Sequence, residues 1–286
     1  MSTETALTST LQRAFPQPLL PLNFRNWQYV WLRNFMVWRK LAIPSMAGNL
    51  ADPMIYLFGL GLGLGLLVGR VDGVSYIAFL AAGTVASSTM MSASFEAMYS
   101  AFSRMHVQRT WEAILYAPLS LGDVVLGELF WAASKSVLSG LAIMLVAGAL
   151  GYASMPQALL ALPVIVLTGF TFACLAMNMT ALAPNYDFFM FYQTLVITPM
   201  MLLSGVFFPL SQLPAPVRAA TSVLPLPHAV DLIRPLMLGR TPENILLHLG
   251  VLLLYAVAAL LSCLWLLRRR MLKERDPDVQ QKSPSR

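Results

Sequence analysis

From Ile245 to Leu267 the chain carries no Asp, Glu, Lys or Arg, and several other long stretches are nearly as free of charge. A helix rises ~1.5 Å per residue, so about 20 such residues cross the hydrocarbon of a bilayer while every backbone polar group is satisfied internally. A water-soluble fold has no place for several segments of this kind. Composition agrees, with 57% hydrophobic and 11% charged residues against roughly 45–50% and about 25% in soluble domains. The sequence therefore predicts an all-α membrane protein with six transmembrane helices.

Residues 1–21 are polar and proline-bearing and read as a flexible tail, residues 22–272 as one membrane domain, and residues 273–286 as a second tail. A secretory leader is not evident at the start, so the N-terminus is expected in the cytoplasm. From Leu22 to Lys40, Trp27, Trp31 and Trp38 recur at helical spacing among Arg25, Arg33, Arg39 and Lys40, which predicts an amphipathic helix lying in the membrane interface. Span one is expected from Ile43 to Gly69, with Pro44 and Pro53 bending its start and Gly59, Gly61, Gly63 and Gly65 offering a close-packing face. The remaining spans are expected at Ser75–Ala101, Leu121–Leu150, Ala158–Leu182, Phe188–Phe208 and Ile245–Leu267. Ser120 with Asp123 three residues on reads as the cap of the third. Seven prolines between residues 209 and 243 break that outer segment into short helices or a re-entrant hairpin.

Lysine and arginine set the orientation. With both termini inside, fourteen lie on the cytoplasmic side, Arg104 and Arg109 among them, and four on the outer side (Arg70, Arg218, Arg234 and Arg240). The net charge of +6 follows from this topology, since the cations flank spans and form no separate basic domain that would bind nucleic acid. Cys174 and Cys263 fall inside spans and behave as small hydrophobes.

No glycine precedes any of the four lysines, so the chain has no phosphate-binding loop, and no nucleophile or metal-ligand motif appears either. No catalytic residue, cofactor or metal is expected. Work against a gradient would then draw on a partner subunit or on an ion gradient. Ionisable residues inside spans are costly and mark function, which singles out Glu96, Glu128 and Lys135 as an intramembrane polar cluster. The alternative is structural pairing with snorkelling side chains. His228, Asp231 and Arg234, three apart, suggest an outer-side ion pair.

The cytoplasmic RTWEAILYAPLSLGD, together with NLADPMIYLFGLGLGLG, GRVDGVSYIAFLAAG, ALAPNYDFF and YQTLVITPMMLLSGVFFP, resembles the type-2 ABC transporter permeases, and within them the NodJ branch. The resemblance covers residues 22–272. It implies a homodimer paired with NodI-like ATPase subunits, exporting a lipo-oligosaccharide or related glycolipid across a bacterial inner membrane. Arg109 through Ser120 would be the ATPase-coupling helix, with Trp111 as an anchor and Arg109 and Glu112 as rim charges. Phe188, Tyr192, Gln193 and Asn178 would border the cargo path. A multidrug exporter permease and an ion-coupled secondary transporter are the competing expectations.

Overall fold

The computed structural model describes residues 25–274, which are helical apart from turns and one β-hairpin. Helix α1 is Trp27–Val68. It breaks over Arg39–Leu41, where Leu41 leaves helical geometry at φ −122° and ψ 23°. Pro44 lies within the first turn of the second limb, where a missing N–H costs nothing. The hairpin pairs β1 (Arg70–Val71) with β2 (Val74–Ser75), and Asp72 and Gly73 both take positive φ, as a tight two-residue hairpin turn requires. Helix α2 is Tyr76–Val107 and α3 is Thr110–Leu115. Then come α4, Leu121–Ala149, α5, Met155–Leu182, and α6, Asp187–Leu203. Two short helices, α7 (Ala215–Thr221) and α8 (Pro225–Met237), precede α9, Ile245–Glu274.

Among the described residues, α1, α2, α4, α5 and α9 are long and apolar enough to cross a membrane. The molecule is an all-α membrane protein. The expected fifth span differs: α6 stops at Leu203 instead of Phe208, because the chain turns at Ser204 and Gly205, the glycine at φ +76°. Its length sits at the short end of the roughly 17–25 residues that cross a bilayer. The segment beyond it forms short helices as expected.

Helix α2 is the hub, packed by α1, α4, α5 and α8, with 94% of its apolar window buried. Small residues at its contacts let neighbours approach: a Cβ on Gly140 of α4 would lie 2.5 Å from the Thr89 hydroxyl oxygen. Ser88 and Ser139 exchange a buried 2.7 Å hydrogen bond across the same contact. Helices α1 and α9 are peripheral, at 12% and 22%.

The tryptophans of the first limb pack on α4. Trp27 packs on Phe130 with ring centroids 4.3 Å apart, and Trp131 meets Trp31 at 6.3 Å and Trp38 at 5.8 Å. The Trp31 indole donates to the Ser134 hydroxyl at 3.0 Å. The first limb is thus docked on α4 through the aromatic face that the sequence reading turned toward headgroups. Tryptophan spacing alone does not separate a headgroup belt from a helix contact. Residues 22–24 of that expected helix, the tail at 1–21 and the tail beyond residue 274 lie outside the described residues.

Candidate functional site

Where α2 approaches α3, the helix widens twice into π-turns, at Glu96–Ser100 and Ser103–Val107. Each π-turn inserts an extra residue and rotates the helix beyond it, and such turns cluster at functional sites. The rotation aims Arg104 back between α2 and α4. Its Nε lies 3.0 Å from both carboxylate oxygens of Glu128, and its Nη2 donates to Glu128 at 2.6 Å and to Glu96 at 3.0 Å. Lys135 donates to the other oxygen of Glu96 at 2.8 Å, and the Trp131 indole to the first, also at 2.8 Å. The network is closed by Trp111 of α3, whose indole N–H donates to Glu128 at 3.1 Å.

Glu96, Glu128 and Lys135 do come together, as their placement in apolar spans suggests. Their pivot, Arg104, reads in sequence as a loop cation, because periodicity cannot foresee that π-turns carry α2 on to Val107. Two carboxylates balance two cations, which is what makes the burial of the cluster tolerable. The Glu128 side chain is 0% exposed and that of Arg104 12%. Removing one partner of such a set strands the others, at a cost of about 3–5 kcal/mol.

Helix α3 itself is shorter than expected. Arg109 adopts φ +50° and precedes it, and the helix ends at Leu115 instead of reaching Ser120. The Thr110 hydroxyl donates to the Arg104 carbonyl at 2.8 Å, binding α3 to the end of α2. Trp111 is 1% exposed and cannot be an outward anchor, so that expectation is corrected: its ring faces the network. The outward face presents Glu112 and Ala113, with Tyr116 just beyond at 80% exposure. Ser120 and Asp123 then form the full capping box that opens α4.

At the hairpin end the expected ion pair is absent among the described residues. Arg234 instead caps the end of α6, its Nη2 donating to the carbonyls of Gly205 at 2.6 Å and Val206 at 3.2 Å, with its guanidinium 3.8 Å from the Phe79 ring centroid. Burial lowers its pKa to about 10, against the raising influence of Asp231 and Asp72. The helical spacing was right but free backbone carbonyls at the α6 terminus are better placed than the carboxylate. His228 turns the other way. Its Nε2 donates to the Ser222 carbonyl at 2.9 Å, and its Nδ1 shares a hydrogen bond with His248 Nδ1 at 2.8 Å. Burial raises the Asp231 carboxyl above its ordinary range, opposed by His248, Arg234 and His228.

Asn178 is committed to packing. Its amide donates to the carbonyls of Cys174 and Ala259, both at 2.8 Å, and its oxygen accepts from Ser262 at 2.8 Å, stapling α5 to α9. It has no group to offer a cargo. Phe188 and Tyr192 pack partly buried against the core and Gln193 opens a third π-turn, in the α6 half nearest α3. The sizeable cavity lies in the other half, a space of about 470 Å³ between α1 and α6 bounded by Tyr56, Leu64, Met201, Phe207 and Gln212.

Residues 25–238 match the ABC-2 type transporter family. The chain belongs to that family. It is 58% identical over 255 residues to nodulation protein J of Bradyrhizobium diazoefficiens, covering 89% of this chain and 97% of the relative. To nodulation protein J of Rhizobium meliloti it is 57% identical over 253 residues, covering 88% and 97%. The inner membrane transport permease YadH of Escherichia coli shares 22% identity over 240 residues, 84% of this chain and 93% of that one. The protein is a NodJ-like type-2 ABC permease, a multi-pass transport subunit.

Proposed function

We propose that the permease pairs with a second copy of itself and with separate NodI-like ATPase subunits, and exports a lipo-oligosaccharide or related glycolipid outward across the bacterial inner membrane. One observation carries the mechanism: α3 offers Glu112 and Tyr116 outward while Trp111 ties its inner face to the Glu128–Arg104–Glu96 network of α2 and α4. A push on α3 by an ATPase closing on ATP is passed to buried, hydrogen-bonded charges and so moves two spans as rigid bodies. The cation bias of fourteen to four supports placing α3 and both termini in the cytoplasm. Arg104, counted in that bias, sits inside α2, and setting it aside leaves the sign unchanged.

Gly59, Gly63 and Gly65 of α1 have nothing within 4 Å of a built Cβ, and Phe191 and Leu195 of α6 are more than half exposed. A small-residue face beside an apolar one suits a second copy, with cargo passing between the two permeases. The cargo class rests on the nodulation protein J relatives. Inverted vesicles holding the permease and its ATPase, supplied with ATP and a labelled lipo-oligosaccharide, test the reading. Uptake is expected, with Glu112→Lys and Tyr116→Ala weakening ATPase co-purification. Pumping of a small hydrophobic drug with the glycolipid ignored would assign the permease to multidrug export instead.

A further inference from the structure

We infer that Thr110 is a positioning residue for ATP-driven transport: its hydroxyl holds the second π-turn of α2 open, and movement of α3 withdraws it and lets that turn close into α-helix. What moves α3 rests on the proposed ATPase contact, whereas the latch itself rests on hydrogen bonds.

A π-turn deprives one carbonyl of its helical donor, because the N–H that an α-helix would give it bonds one residue further back. In the first turn the Ala101 N–H reaches the Glu96 carbonyl, and the Ala97 carbonyl accepts the Thr180 hydroxyl of α5 at 2.6 Å instead. In the second the Gln108 N–H reaches the Ser103 carbonyl at 2.8 Å, and the Arg104 carbonyl accepts the Thr110 hydroxyl of α3 at 2.8 Å. Each turn is thus held by a threonine from another helix, at the carbonyl that the widening deprives.

The two latches differ in what holds them and in what their release undoes. Thr180 is fully buried, and its own carbonyl is held by Arg270 of α9 at 3.0 Å. Arg104 lies beyond the first turn, so closing that turn would rotate it by about 100° away from Glu128 and Glu96 and strand both carboxylates. The second turn begins at Ser103, beside Arg104. Closing it leaves the Arg104 side chain with its partners and exchanges one hydrogen bond to the Arg104 carbonyl, from Thr110, for another, from Gln108. It also returns a residue to the corner where Arg109 sits at φ +50°, a left-handed conformation that strains a residue with a side chain. Thr110 belongs to the helix that turns Glu112 outward, so of the two latches it is the one that a displaced α3 carries away. The second turn is therefore the two-position element, and Thr110 sets which position it holds.

Closing the turn gives each position beyond Arg104 the facing that its successor had. Met105, 8% exposed, takes that of the half-buried His106, and His106 takes that of Val107, 65% exposed. The test is the maleimide reactivity of single cysteines, Met105→Cys, His106→Cys and Val107→Cys, in full-length permease with its ATPase in nanodiscs. Cys174 and Cys263 are fully buried and stay silent. Trapping with ADP and vanadate is expected to raise the His106→Cys rate toward that of Val107→Cys, which itself holds. Thr110→Val, which loses one hydrogen bond, is expected to raise the His106→Cys rate about fivefold without nucleotide, and Thr110→Ser to keep the wild-type pattern. Arg109→Gly relieves the corner with the turn still open and is expected to lower the trapped His106→Cys rate by a similar factor, so the inference stays testable if the valine variant misfolds. Thr110→Val indistinguishable from wild type, or all three positions rising together as in fraying, overturns it. A shift with Thr110→Val and none with nucleotide leaves the latch standing and removes the ATPase reading of α3. A shift with nucleotide and none with Thr110→Val removes the latch alone.

Discussion

The indole nitrogen of Trp111 hydrogen-bonds to the charged network, and its partner Glu128 is fully buried. Trp111→Phe keeps an aromatic ring but deletes the donor and part of the buried volume, so the cost is one hydrogen bond to a charged group, about 1.5–3 kcal/mol, with a cavity contribution added to it. Glu128→Ala leaves Arg104 with Glu96 alone and is expected to cost about 3–5 kcal/mol. Combined, the two changes should cost clearly less than their sum, because the second deletes a bond already lost; thermal unfolding in detergent measures this, and simple additivity would show that the residues do not communicate. Asp231 gives a prediction of opposite sign. Its carboxyl pKa is raised by burial, so its contribution to stability is most favourable in acid and is lost as pH rises through the folded value. Asp231→Asn should therefore raise the melting temperature at about pH 7.5 and have little effect at about pH 4.5. A drop at the higher pH would mean that the carboxylate is stabilising.

At the scale of elements, the contact between the first limb of α1 and α4 turns on Gly127. A Cβ there would lie 2.5 Å from Val30 Cβ and 2.8 Å from the Trp27 carbonyl oxygen, atoms of a branched side chain and of backbone that cannot swing aside. Gly127→Ala is expected to cost about 1–3 kcal/mol through overpacking, and to increase protease access to residues 25–38 without disturbing α5 or α9. Protection equal to wild type would show that the limb adapts. The same element explains what a sequence can reveal. Long apolar runs declare helices because the bilayer leaves no other solution, and charges within them stand out, so Glu96, Glu128 and Lys135 were legible. The direction of an aromatic face was not, since Trp27, Trp31 and Trp38 would show the same spacing against lipid headgroups or against Phe130 and Trp131. Arg104 and Arg234 were misjudged for a related reason. Their partners are set by helix ends and π-turns, which leave no periodic trace.

For the whole molecule, the orientation proposed from the cation bias places Val107, 65% exposed at the end of α2, in the cytoplasm. A phosphatase or fluorescent reporter inserted there should give the cytoplasmic readout, and one in the Asp72–Gly73 turn the opposite one. A periplasmic signal at Val107 would reverse the topology and with it the role given to α3. Helix α9 bears on how the molecule is made. Its Ala259 carbonyl and Ser262 hydroxyl complete Asn178, its Leu252 carbonyl accepts from Thr171, and its Arg270 caps the α5 carbonyls of Thr180 and Ala181 together with that of Ala183. These partners leave the ribosome after α5. Until they arrive, α5 waits in the membrane with the Asn178 oxygen and its terminal carbonyls unanswered, so a nascent permease halted before residue 245 should be a substrate for membrane quality control while one halted beyond residue 274 should persist.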